Sequence, residues 1–141
     1  MVVELPSILI SDDDRELRET LRGLFEPEGF RTYLAEDGEE ALEIVQTREV
    51  HIVLIDMHMP KLTGLDVVRV VRQINLLLPC ILMSAELDED ITRQARDLEA
   101  FDVISKPFSG RELRSTVGHA LRWHYNWTPP ADGPGPKNSP R

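Results

Sequence analysis

Acids and a base follow short apolar runs at three places in this chain. Ile8-Leu9-Ile10 leads through Ser11 into Asp12-Asp13-Asp14, Ile52-Val53-Leu54-Ile55 leads into Asp56, and Val103-Ile104-Ser105 leads into Lys106-Pro107. A fourth run, Cys80-Ile81-Leu82-Met83, ends in Ser84. Crowded carboxylates repel by on the order of 4 kcal/mol per pair at about 4 Å in an effective dielectric of about 20, so something positive belongs among them. Lys106 offsets one charge. The remaining oxygens suit a hard divalent cation, and Mg²⁺ is usually held by one or two carboxylates with waters and phosphate oxygens completing an octahedron. Open positions on such an ion point to phosphoryl chemistry.

A lone Asp after a strand is most often a helix cap. Five positions of this kind, Asp12, Asp13, Asp56, Ser84 and Lys106, make capping alone an insufficient account. Asp14 is the exception: it stands where the first helix should begin and where a negative charge complements the helix dipole. His58 has no second histidine at a ligand spacing, so its ring is read as exposed over the pocket. Cys80 is the only cysteine, which excludes an internal disulfide or a cysteine-based zinc site. It reads as a buried, inert thiol.

The elements that must position these groups alternate. Strand-length apolar runs occur near Ser7–Ile10, Phe30–Leu34, Ile52–Ile55, Cys80–Met83 and Asp102–Ile104, and helical periodicity fills the gaps. Leu17, Leu21, Leu24 and Phe25 share one helical face, as do Leu113, Val117, Ala120 and Leu121. Ser109 with Glu112, and Asp37 with Glu40, have the spacing of capping boxes. Strands alternating with helices of this length imply βαβ units and a mostly parallel sheet covered on both faces. In such a sheet ligands bind beyond the carboxyl ends of the strands, where the winding reverses.

The 141 residues are enough for about one domain, which we place at residues 1–127. Residues 128–141 hold five of the ten prolines and no Val, Ile, Leu or Phe, and read as a disordered tail or the start of a linker. No apolar run approaches the roughly 18 residues that span a bilayer, and no basic region precedes the first apolar stretch, so neither a membrane span nor a cleaved secretory signal is expected. The cytoplasm is the default location. A formal charge of −9 disfavours direct binding to nucleic acid.

The ordered set Asp12-Asp13, Asp56-Met57-His58-Met59-Pro60 with Gly64, Ser84-Ala85 and Lys106-Pro107-Phe108 resembles the receiver domain of two-component response regulators, over roughly residues 5–124. The resemblance implies a flavodoxin-like, doubly wound α/β fold with five parallel strands in the order 2-1-3-4-5 and five helices. It implies that Asp56 accepts a phosphoryl group from a sensor histidine kinase or phosphotransfer protein. Asp13, Asp56 and the backbone carbonyl of His58 would bind Mg²⁺, with Asp12 acting through a metal-bound water. Ser84 would donate its hydroxyl to a phosphoryl oxygen, Lys106 would pair with another, and the bond before Pro107 would be cis. The resemblance further implies that His58 and Glu86 occupy positions that in receivers border the path of the hydrolytic water. The chain would catalyse only its own phosphorylation and dephosphorylation, and would signal to a downstream protein through its fourth helix, fifth strand and fifth helix, where Arg93, Arg96, Arg111 and Arg114 lie. A homodimer is left open.

One position departs from the family. The residue three before the lysine is commonly Tyr or Phe, and here it is Val103, which has few χ1 states and no ring to move. Phe101 could substitute only if the chain is extended there; otherwise it is a core or loop aromatic. Trp123, His124, Tyr125 and Trp127 cluster at the end of the last helix and are expected to pack on the chain's own body. Two other functions compete with the switch: an Mg-dependent aspartate-nucleophile phosphatase of the haloacid dehalogenase type, whose nucleophile normally follows the first strand, and a phosphorylation-independent interaction module. A nucleotide-binding domain is weaker still, because no glycine-rich turn follows Ile10.

Overall fold

A computed structural model describes residue 3 and residues 5–129. Beyond residue 129, the expected tail lies outside the described residues. Five strands, β1 (Ser7–Ser11), β2 (Arg31–Ala35), β3 (Ile52–Asp56), β4 (Cys80–Ser84) and β5 (Asp102–Ser105), alternate with α1 (Arg15–Phe25), α2 (Gly38–Thr47), α3 (Gly64–Ile74), α4 (Glu89–Asp97) and α5 (Gly110–Tyr125). All pairings are parallel and the order is β2-β1-β3-β4-β5, the fold expected. Each strand runs one residue past its apolar run, because the ladder is made by backbone groups and accepts Ser11, Asp56, Ser84 or Ser105 as readily as a hydrophobe.

β1, β3 and β4 are buried along their whole length, so each must be apolar on both faces. Alternation along the strands divides the core in two. Ile8, Ile10, Ile52, Leu54, Ile81 and Met83 pack with Leu21, Phe25, Leu113, Val117 and Leu121 of α1 and α5. Leu9, Val53, Ile55 and Leu82 pack on the other side with Val67, Val68 and Val71 of α3 and Ala95 of α4. Because β1 leads to a helix on one face and β3 to a helix on the other, a crevice opens between their carboxyl ends.

The helix starts are capped much as their sequences imply. Asp14 accepts the N–H groups of Glu16 and Leu17 at the head of α1. Asp37 and Ser109 accept the N–H groups of Glu40 and Glu112, but Glu40 returns its bond to the N–H of Glu36, one residue before the cap. A full reciprocal box forms instead at α3, between Thr63 and Asp66.

The C-terminal aromatics divide. Trp127 is buried with its ring edge on Phe30 at 5.6 Å between centroids, and the Tyr125 hydroxyl donates to the His51 carbonyl at 2.7 Å. Trp123 is 80% exposed, against expectation. Phe101 is a half-buried core aromatic on the α1/α5 side, whereas Val103 packs on the α3/α4 side, so Phe101 does not stand in for an aromatic at 103.

Candidate functional site

The crevice brings four of the expected residues together. Asp12 is 1% exposed and Asp56 5%, and Lys106 reaches from the loop after β5 to place its ammonium 2.8 Å from Asp12 Oδ2 and 3.1 Å from Asp56 Oδ1. Asp13 is exposed at the rim, and one carboxylate oxygen from each of Asp12, Asp13 and Asp56 lies within 4.8 Å of the others. His58 is exposed and outside this group. The peptide bond between Lys106 and Pro107 is cis, and the Lys106 N–H donates to the Ser84 carbonyl at 2.8 Å, which ties the lysine's loop to the end of β4.

Charge at the site is out of balance. Burial raises the pKa of Asp56 most; the Lys106 hydrogen bond opposes it, and the neighbouring charges of Asp12 and Asp13 push the same way as burial. Burial works against the charge of Lys106, but its bonds to Asp12 and Asp56 prevail and raise its pKa. One ammonium therefore faces three carboxyl groups. This donor set, all oxygen, partly open and under-neutralised, fits a hard divalent cation held by Asp12, Asp13 and Asp56.

Ser84 is fully buried, and its hydroxyl is satisfied within its own loop: it donates to the Glu86 carbonyl at 2.9 Å and accepts the Glu86 N–H at 3.1 Å. Backbone geometry at the end of β3 is held from two sides, with the Met57 N–H donating to the Met83 carbonyl and the Gly64 N–H to the Met57 carbonyl. Two contacts were not foreseen. The Ser11 hydroxyl, beside Asp12, meets the Met59 sulfur at 3.3 Å, and Arg18 Nη1 donates to the Asp12 carbonyl at 2.7 Å. Only the position of Arg18 one turn into α1, on the side of the acidic loop, could have signalled it.

Comparison with known proteins places this geometry. A family model described as the response regulator receiver domain matches residues 8–118. The transcriptional regulatory protein CpxR of Escherichia coli (strain K12) is 38% identical over 115 residues, which are 82% of this chain and 49% of that protein. The alkaline phosphatase synthesis transcriptional regulatory protein PhoP of Bacillus subtilis (strain 168) is 34% identical over 82% of this chain and 48% of its own length. The chain thus spans about half the length of the curated relatives it matches. Among solved structures, a CheY-like response regulator receiver domain protein from Methanospirillum hungatei JF-1 superposes with a TM-score of 0.84 at 20% identity, covering 87% of this chain and 98% of that one, a likeness of fold. The response regulator protein TrrA from Thermotoga maritima, in complex with Mg²⁺-BeF, superposes with a TM-score of 0.76 at 29% identity, over 83% of this chain and 100% of that one. These relatives favour neither the phosphatase nor the phosphorylation-independent module.

Proposed function

Because the chain belongs to the response regulator receiver domain family, we propose that Asp56 is the phosphoacceptor and that the crevice is built to transfer a phosphoryl group onto it. The observation that carries this reading is the Lys106 ammonium set between the carboxylates of Asp56 and Asp12 at the carboxyl ends of β3 and β1. An Asp56 oxygen attacks phosphorus, the bond from phosphorus to the donor nitrogen of a kinase phosphohistidine breaks, and an aspartyl phosphate forms. Catalysis is then positioning and charge neutralisation. Lys106 is placed to meet a phosphoryl oxygen. Ser84 supplies a hydroxyl to another, for which it must give up its bond to the Glu86 carbonyl.

Asp12, Asp13 and Asp56, with the carbonyl of His58, are the proposed holders of Mg²⁺. When bound, the ion supplies charge stabilisation for the equatorial oxygens. The Mg²⁺-BeF complex of the TrrA relative supports that choice of ion. His58 and Glu86 are proposed to border the water path and to set the lifetime of the phosphorylated state. The partners of this reading are a sensor histidine kinase or phosphotransfer protein upstream and a protein docking on α4, β5 and α5 downstream, in the cytoplasm. No helix among the described residues is long and apolar enough to cross a membrane. We place the boundary of the receiver at Trp127, whose ring seals the α1/α5 side of the core.

Intact-mass analysis after incubation with Mg²⁺ and acetyl phosphate tests the assignment. The wild type is expected to gain the mass of one phosphoryl group, removable by hydroxylamine, and Asp56→Asn to gain none. A wild type that stays unmodified, or an Asp56→Asn that is modified equally, defeats it.

A further inference from the structure

Asp12 is tied at every polar atom. Its N–H donates to the Ala35 carbonyl at 3.1 Å, Oδ1 accepts the Asp14 N–H at 2.9 Å, Oδ2 accepts the Lys106 ammonium at 2.8 Å, and its carbonyl oxygen accepts Arg18 Nη1 at 2.7 Å. The first three ties come from the sheet, the turn into α1 and the site itself. The fourth is of another kind. Arg18 is a long, half-buried side chain, and fixing it costs rotamer entropy. Acids surround it on α1 and its loop, yet among the described residues it forms no ion pair. Its charge is spent on a neutral carbonyl instead.

That carbonyl belongs to the peptide joining Asp12 to Asp13. The peptide unit is planar, so holding its oxygen fixes the plane from which Asp13 leaves. Asp13 needs this support, because among the described residues no hydrogen bond holds its own side chain at the exposed rim. We propose that Arg18 is a positioning residue for the cation site: by clamping the Asp12–Asp13 peptide it presets the Asp13 carboxylate and raises the affinity for a divalent cation. The inference rests on the metal reading given under Proposed function.

Two physical effects of Arg18 have opposite signs, which makes the idea decidable. As a bare positive charge beside a cation site it would repel the ion, and its removal would tighten binding. As an outer support of a ligand its removal loosens binding, typically by about 10- to 100-fold. Titration calorimetry of the full chain with MgCl₂, with no phosphodonor present, separates them. Arg18→Met, which keeps the apolar stem and loses both charge and donor, is expected to weaken Mg²⁺ binding by about ten-fold. Arg18→Lys, with the charge and a donor retained, should recover most of it. Arg18→Gln is polar but shorter, and serves as a second variant expected to shift in the same direction as Met; urea unfolding without Mg²⁺ checks that each is folded. Unchanged or tighter binding in folded Arg18→Met or Arg18→Gln overturns the inference and leaves the metal site standing. A wild type that binds no Mg²⁺, or an Asp13→Asn that binds as well as wild type, overturns both.

Discussion

Burial is the largest influence on Asp56, and it raises the carboxyl's pKa above the ordinary 3.8, with Asp12 and Asp13 adding to it and Lys106 opposing. A carboxyl with a raised folded pKa binds its proton more readily folded than unfolded. Stability therefore falls as pH rises from the unfolded value through the raised one, and at neutral pH the ionised group is a cost to the fold. Metal-free Asp56→Asn is accordingly expected to unfold at higher urea than wild type near pH 7. Added Mg²⁺ should reverse the order by mass action, since a ligand at about a hundred times its dissociation constant stabilises by about 2.7 kcal/mol and the variant lacks a holder for it. Urea midpoints of both proteins with and without Mg²⁺ check this; a metal-free variant less stable than wild type contradicts it. At this scale the sequence was informative wherever a polar residue interrupts an apolar context, as Asp12, Asp56, Ser84 and Lys106 do. Arg18 was invisible because it sits among other charged residues of α1 and bonds a backbone carbonyl, a group every residue carries.

Helix α3 begins hard against the end of β3, and only a residue without a side chain fits between them. A Cβ on Gly64 would lie 2.5 Å from the Asp56 carbonyl oxygen, 2.8 Å from Leu82 Cδ2 and 3.0 Å from Met57 Cα. Two of those neighbours are backbone, and they carry the residue proposed to be phosphorylated. Gly64→Ala must push the strand end or the helix start aside, at a cost of about 1–3 kcal/mol. It should also slow adduct formation with acetyl phosphate, because Asp56 moves with its backbone. A variant whose urea midpoint and phosphorylation rate both match wild type would show that the strand end yields freely. The elements themselves were readable because both patterns are clear: the buried strands carry runs of three or four hydrophobes, and α1 and α5 repeat at helical spacing. The same spacing accounts for the aromatics, since Tyr125 continues the face of Val117 and Leu121 while Trp123 falls on the opposite side. Strand ends were less readable, because backbone pairing does not register side-chain polarity.

Taken as one body, the molecule places its chemistry at one pole of the sheet and fastens its last helix at the other. There His51 is the pin. Its Nδ1 accepts the Ser7 N–H at 2.9 Å at the start of β1, its carbonyl accepts the Tyr125 hydroxyl, and its ring meets Tyr125 edge-on at 5.4 Å. Burial also keeps the Tyr125 phenol protonated, its pKa pushed up to about 12, so this donor persists across the neutral range. The imidazole is the group that titrates. Burial, with a contribution from Arg31, lowers its pKa from 6.5, and Glu49, 3.8 Å from Nε2, only partly offsets this. A histidine depressed in the folded state contributes stability that is fully present above 6.5 and is lost as pH falls through the folded value, because protonation at Nδ1 would also break the Ser7 bond. His124, lowered by burial and by Arg72, acts with the same sign, while Asp56 acts with the opposite one. The pin is therefore best isolated in Asp56→Asn. In that background the urea midpoint should drop between about pH 7 and about pH 5. Adding His51→Asn, whose amide oxygen still accepts the Ser7 N–H but cannot titrate, should flatten the drop and leave the share due to His124. Equal slopes in the two proteins would mean that the pH dependence arises elsewhere than at the His51 imidazole.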